Sequence, residues 1–164
     1  NSGKMAGYRD TEGEPNNNQG PWASHISIDI RNEIDANFRT LDDPKFRALT
    51  GISMGGGGVF SVGMANTDLY SSIASIMGAV GGAVEQIEAV SDDVLAGITF
   101  YLDFGIQDKM VNPQNTQEVG EYLESRNVKV EWELRDGGHN SAFISDGLAN
   151  AMRIHSEHFV SNGL

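Results

Sequence analysis

The sequence predicts an α/β fold with a mainly parallel sheet of about four strands flanked by helices. Short apolar runs alternate along the chain with longer segments of helical periodicity. The 164 residues, 39% of them hydrophobic, suit one globular domain, and no repeat or low-complexity linker divides them. We therefore expect a single domain over residues 1–164, with a loop-rich start at 1–24.

The predicted elements follow one another in a regular order. Ile26, Ile30 and Ile34 fall at helical spacing and predict an amphipathic helix from about Ser24, its N-cap, to Phe38. The strands are predicted at 46–50, 72–77, 98–104 and 128–134, and the other helices after Gly55 and at 83–95, 116–126 and 141–160. Residues 128–134 alternate with period 2, which is typical of an outer strand.

Composition limits the classes of partner and chemistry. A net charge of -12 argues against nucleic acid and anionic membranes, because both require cationic contacts. The chain has no cysteine, which excludes disulfides, thiol catalysis and thiolate metal sites. No stretch approaches the roughly 18 apolar residues of a membrane span. We expect no metal and no cofactor.

The segment 51–55, Gly-Ile-Ser-Met-Gly, lies between the predicted strand at 46–50 and a segment of small residues that can form a helix. A strand, a Gly-x-Ser-x-Gly turn and a helix together describe a nucleophile elbow, in which a strained turn exposes the serine hydroxyl. We expect Gly51 and Gly55 to be required by this turn, and the helix to direct its N–H groups at a developing anion. In a chain with 20 glycines the alternative is an ordinary Gly-rich turn.

Three chemically matched residues follow three of the predicted strands. Ser53 follows 46–50, Asp108 follows 98–104 and His139 follows 128–134. Because active sites of parallel sheets lie beyond the carboxyl ends of the strands, we expect the three to gather at one edge. Their chain order, Ser then Asp then His, is the one described for α/β-hydrolases.

Each residue type has a role that such chemistry needs. His139 would take the Ser53 proton and return it to the leaving group, and Asp108 would orient the imidazole. The Met54 N–H would be one oxyanion-hole donor. Asp103 and Asp136 are the rivals of Asp108: the first would point to a sheet face, and the second lies too near His139 in sequence.

Other candidates favour structural roles. His155 and His158 lie three apart in the last helix and could form a metal pair, but no third ligand is evident, and solvated helix histidines are commoner. His25 is predicted to be a surface residue. Trp132 is predicted to pack in the core, and Trp22 is left open between packing and substrate contact.

Three motifs together carry a family resemblance. Gly-Ile-Ser-Met-Gly-Gly at 51–56, Phe-Gly-Ile-Gln-Asp at 104–108 and Gly-Gly-His-Asn at 137–140, which Ala-Phe follows at 142–143, resemble the putative esterase family of α/β-hydrolases. That family includes esterase D-like S-formylglutathione hydrolases, feruloyl esterases and enterochelin esterase-like enzymes. The resemblance covers about residues 25–160 and implies Ser53 as nucleophile, Asp108 as acid member and His139 as base.

The chain departs from the family in one respect. Members carry upstream strands and a His-Gly-type loop that supplies a second oxyanion donor, and the sequence shows no counterpart of either. We expect the chain to be the C-terminal part of a larger enzyme. Because a bare elbow strand would be a hydrophobic edge, we expect a missing N-terminal segment or another chain to cover it.

The sequence therefore predicts a serine carboxylesterase that acts on a small-molecule ester through an acyl-enzyme. Thioester hydrolysis or acyl transfer on the same three residues remains open. So does a non-catalytic binding module on a hydrolase scaffold, because fold does not determine function.

Overall fold

The computed structural model describes residues 8–12 and 20–164. Four parallel strands form one sheet in the order β1-β2-β3-β4. These are β1 (Ala48–Ile52), β2 (Ser72–Ile76), β3 (Thr99–Gly105) and β4 (Lys129–Arg135). Helices flank the sheet, so the predicted α/β class with a parallel sheet is confirmed.

Helical segments connect the strands. They are α1 (Trp22–Ser24), a π-helical stretch (His25–Ile30), α2 (Arg31–Asn37), a short 3₁₀ turn (Pro44–Phe46), α3 (Met54–Ala65), α4 (Ala83–Glu88), α5 (Asp92–Leu95), α6 (Pro113–Ser125) and α7 (Ser141–Ser161). Asn112 caps α6 and Asn140 caps α7, each by accepting a hydrogen bond from a backbone N–H two or three residues on.

Two layers of helix cover the two faces of the sheet. Helices α3 and α6 pack on one face, while α7 packs on β1, β2 and β3 from the other. Successive side chains of β2 point to opposite faces of the sheet. Ile73 accordingly joins the apolar cluster under α3, and the neighbouring Ala74 joins the cluster under α7. All residues of β2 and β3 are buried, as expected for central strands.

The helix before β1 differs from its prediction. Helical structure begins at Trp22, and Ser24 is not its N-cap; instead the Ser24 backbone N–H and hydroxyl both donate to the Asp10 carboxylate. Residues 22–24 are therefore helix, where loop was predicted. The rest of the predicted loop lies partly outside the described residues, which leave out 1–7 and 13–19.

Two further predictions need correction. The helix predicted at 83–95 is two short helices, because the backbone is extended at Ser91. In α7 the buried stripe is Phe143, Gly147, Ala151, Ile154, His155 and His158. Met152, which the apolar pattern of residues 141–160 predicts on the same side as Phe143, is instead 51% exposed. The small residues Gly147 and Ala151 let α7 approach the sheet closely, and hydrophobicity alone did not identify them.

Strands β1 and β4 form the two edges of the sheet in the described part of the chain. β1 is partly exposed along most of its length, and an apolar groove of about 420 Å³ runs beside it. The groove is lined by Ile26, Ile30, Ile34, Leu41, Phe46, Leu49, Tyr70 and Phe159 among others. Within the described residues, the helices are all too short or too polar to cross a membrane.

Candidate active site

Ser53 lies in a sharp turn between β1 and α3. Its φ of 57° and ψ of -121° place a non-glycine residue in a backbone region that L-amino acids rarely adopt. The Ser53 N–H donates to the Ile76 carbonyl, and the Ser53 carbonyl accepts from Gly56 and Ala79, at 2.9, 3.0 and 3.0 Å. The end of β2 and the start of α3 thus hold the strained residue in place.

Close packing around the turn requires glycine at some positions but not at all of them. A Cβ on Gly51 would lie 2.0 Å from the Gly55 carbonyl oxygen, and one on Gly56 would lie 2.5 Å from the Gly78 Cα. These two positions therefore exclude any side chain. Gly55, in contrast, has room for a methyl group, whose nearest neighbour would be the Tyr8 hydroxyl at 3.4 Å. The expectation that the turn requires Gly55 is wrong on spatial grounds.

Met54 is the first residue of α3, directly after Ser53. The first N–H groups of a helix have no intrahelical acceptor, and the positive end of the helix dipole lies there. In the described part of the chain the Met54 N–H makes no hydrogen bond outside α3, which leaves it for an anion beside Ser53. Met54 as a whole is 39% exposed.

Asp108 and His139 form a short hydrogen bond beyond the ends of β3 and β4. His139 Nδ1 lies 2.6 Å from Asp108 Oδ2, and the Asp108 side chain is fully buried. Because an ionised carboxylate only accepts, Nδ1 carries the proton, and in the neutral form of the ring Nε2 is the acceptor. Burial works to raise the pKa of Asp108, but hydrogen bonds from His139, Met110 and Val111 outweigh it and hold the pKa below its ordinary value.

The rival carboxylates have other partners. Asp103 is fully buried in β3, and its two carboxylate oxygens accept hydrogen bonds from Nε and Nη2 of Arg135. Asp136 is exposed and accepts a hydrogen bond from the Gln107 side chain at 3.1 Å. Of the three aspartates, Asp108 is the one in contact with His139.

Backbone pairing continues beyond β3 and β4 and joins the loops of Asp108 and His139. Ile106 N–H donates to Arg135, and Gln107 N–H donates to Gly137, at 3.0 and 2.9 Å. The Gln107 side chain also accepts from the Gly137 N–H. Sequence reasoning missed Gln107 and Arg135, since both appear there only as ordinary polar residues.

Ser53 lies at the same edge of the sheet, because β1 and β3 run parallel on either side of β2. Ser53 is partly exposed. In the part of the chain that the structure describes, the Ser53 hydroxyl makes no hydrogen bond, so the structure pairs Asp108 with His139 and leaves Ser53 unlinked to them. Apo enzymes often tighten such contacts only with substrate bound.

The histidines of α7 are buried, and the expectation that they are solvated is wrong. His155 contacts the Thr50 and Ser72 hydroxyls at 2.8 and 2.7 Å, and His158 contacts the Thr99 and Ser71 hydroxyls, both at 2.9 Å. All four ring nitrogens are thereby engaged. Among residues 8–12 and 20–164, no group of three or more acidic or histidine side chains could hold a metal ion.

The two tryptophans and His25 lie in ordinary packing or surface environments. Trp132 packs against α6, where a Cβ on Gly120 would lie 2.5 Å from its ring, so its predicted packing role is confirmed. His25 is exposed, as predicted, and Trp22 lies edge-on to it with ring centroids 6.2 Å apart.

The family model described as "Putative esterase" matches residues 2–149. The chain belongs to this family. That membership agrees with the resemblance that the three sequence motifs carry, and 148 of the 164 residues lie within the match.

Solved structures show the same fold at low identity. A ferulic acid esterase superposes with a TM-score of 0.81 at 18% identity, covering 96% of this chain and 68% of its own. An S-formylglutathione hydrolase from Agrobacterium tumefaciens gives 0.71 at 18% identity, covering 94% of this chain and 63% of its own. A fluorophosphonate-binding serine hydrolase from Staphylococcus aureus gives 0.68 at 15%, covering 94% and 68%. The chain thus spans about two thirds of the length of these relatives.

Proposed function

We propose that the protein is a serine carboxylesterase with Ser53 as nucleophile, His139 as general base and acid, and Asp108 as the residue that orients His139. The observation that carries the proposal is the 2.6 Å hydrogen bond between Asp108 and His139, beyond the same sheet edge as the strained Ser53. Membership of the esterase family supports the reaction class.

The reaction proceeds through an acyl-enzyme. Ser53 Oγ attacks the ester carbonyl carbon while its proton passes to His139 Nε2, and the negative charge collects on the carbonyl oxygen beside the Met54 N–H. The carbon–oxygen bond to the alcohol then breaks, and His139 gives its proton to the departing alcohol. Water repeats the sequence on the acyl group and regenerates Ser53. Asp108 accepts the hydrogen bond from Nδ1–H throughout and stabilises the imidazolium, without taking the proton itself.

Covalent labelling tests the nucleophile without a choice of substrate. A fluorophosphonate probe should label the wild type on the peptide that contains Ser53, and the Ser53→Ala variant should remain unlabelled. Ser61→Ala is the matched control, because Ser61 lies two turns further along α3. Absence of labelling in a folded wild type would favour a non-catalytic binding module, and labelling of Ser53→Ala would exclude Ser53 as nucleophile.

Thioester hydrolysis or acyl transfer is the second candidate on the same residues. The name of the S-formylglutathione hydrolase relative favours it, because an S-formyl group is a thioester. Product analysis separates the reactions. Free acid from a p-nitrophenyl ester indicates hydrolysis, a new ester formed with added alcohol indicates transfer, and faster turnover of a matched thioester indicates the thioesterase.

We also propose that a further segment or another chain pairs with the edge of β1 that is unpaired in the described part of the chain. The exposed apolar residues beside that edge support this, since Ile30, Ile34 and Leu41 are 45, 41 and 50% exposed. The relatives of greater length support it as well. Light scattering on the isolated chain should show self-association or poor solubility. A stable, active monomer with exchangeable β1 amides would contradict the proposal.

A further inference from the structure

We propose that Arg135 is a positioning residue, which holds the loop of His139 in place through the backbone of Phe143. This inference rests on the proposed function, because it assigns a role in placing the proposed base. The observation is a set of contacts made by one guanidinium, with the buried Asp103 on one side and the first turn of α7 on the other.

The first contact anchors the guanidinium to the centre of the sheet. Arg135 Nε and Nη2 lie 2.9 and 2.6 Å from the two oxygens of Asp103, whose side chain is completely buried. Arg135 pairs with Gly105 in the β3–β4 register, two residues beyond Asp103, so both side chains point to the face that α7 covers. A two-point bond of this kind determines the orientation of the guanidinium plane.

The second contact passes that orientation to α7. Arg135 Nη2 donates to the Phe143 carbonyl at 3.0 Å, and the guanidinium lies over the Phe143 ring, 3.6 Å from its centroid. Phe143 is buried, and its ring lies against the loop of His139 and the end of β3, since a Cβ on Gly137 would be 2.4 Å from it and one on Gly105 would be 3.2 Å away.

His139 lies midway between these two points of attachment. It follows Arg135 by four residues and precedes Phe143 by four. The Arg135 side chain therefore connects the two ends of the loop that carries His139. The hydrogen bond to Asp108 fixes the position of Nδ1. The backbone of the loop, in turn, determines where Nε2 lies relative to Ser53. A small displacement of a reacting group is costly in rate, by as much as about 100-fold for 1 Å.

The substitutions must separate this role from folding. Removing Arg135 alone would leave the Asp103 carboxylate buried and unpaired, which destabilises any fold. Arg135→Lys keeps a positive charge beside Asp103 but lacks the planar fork that reaches Asp103 and Phe143 together. The double variant Asp103→Asn with Arg135→Gln removes both charges, and its side chain at 135 is two atoms shorter than Arg. Arg153→Lys is the control, because Arg153 forms its ion pairs with Glu131 and Glu157 at the surface.

The experiment combines steady-state kinetics with NMR of the His139 ring. With a p-nitrophenyl ester, Arg135→Lys and the double variant should lose on the order of tenfold in kcat with little change in KM. The Nδ1 proton shared with Asp108, identified by its loss in His139→Gln, should shift or broaden in both. Arg153→Lys should match the wild type in every measurement.

Each outcome decides the proposal. Unchanged kcat and an unchanged Nδ1 signal in folded Arg135→Lys would overturn it, and so would a kcat loss that equals the unfolded fraction found by circular dichroism. If the wild type has no Ser53-dependent hydrolysis, the proposed function fails separately. The NMR signal then decides alone whether Arg135 positions His139.

Discussion

His139 Nδ1 and Asp108 Oδ2 lie 2.6 Å apart, although 31 positions separate the two residues in the chain. The contact forms because β3 and β4 are parallel neighbours whose carboxyl ends meet at one edge of the sheet. The Asp108 carboxylate also accepts from two backbone N–H groups, which fixes its orientation. This pair determines which nitrogen of His139 is left to act as the base.

Replacing Asp108 by Asn should remove that control. The amide no longer selects the productive tautomer, so we expect kcat to fall by roughly 10⁴-fold with KM little changed, as the corresponding change does in the Ser-His-Asp proteases. Asp136→Asn is the matched control, because its Oδ1 can still accept from Gln107. A loss below about tenfold in Asp108→Asn, measured with a p-nitrophenyl ester, would argue against the assigned role.

Substitution of the two elbow glycines, Gly51 and Gly55, should affect stability to different extents. Gly51→Ala places a methyl group 2.0 Å from the Gly55 carbonyl oxygen, and we expect it to lower the free energy of unfolding by about 3 kcal/mol. Gly55→Ala meets only ordinary contact and gains helix propensity, so it should change that free energy by less than about 1 kcal/mol. Urea unfolding measures this free energy for both variants, and equal losses in the two would contradict the packing around the turn.

The buried His155 predicts a loss of stability in acid. Burial, and secondarily the charge of His158, lowers the pKa of His155 from 6.5 to about 4. The unfolded chain therefore binds a proton near pH 6.5 that the folded chain accepts only near pH 4, so stability falls as pH decreases through this window, by roughly 3 kcal/mol.

Paired variants isolate that effect. His155→Gln should be less stable than the wild type at pH 8, since it disturbs the contacts with Thr50 and Ser72, but its stability should fall less between pH 6.5 and 4. His25→Gln, at an exposed position, should keep the wild-type slope. Chemical denaturation at several pH values measures the slopes, and an unchanged slope in His155→Gln would contradict the assignment.

The sheet and the candidate site residues could be predicted because they depend on local pattern. Runs of apolar residues identified all four strands to within two residues, and the residues after their ends identified Asp108 and His139. The buried state of His155 and His158 could not be read from the chain, because it depends on hydroxyls that three different strands supply. Asp103 with Arg135 is a similar case, because the Asp103 carboxylate is buried only where Arg135, on the neighbouring strand, neutralises its charge.

Hydrolysis of a short p-nitrophenyl ester by the wild type, Ser53→Ala and Ser61→Ala shows whether Ser53 is the nucleophile of a serine esterase. We expect turnover by the wild type and Ser61→Ala, and a loss of about 10⁴-fold or more in kcat for Ser53→Ala, which has no hydroxyl to acylate. Hydrolysis by folded Ser53→Ala at the wild-type rate would contradict it.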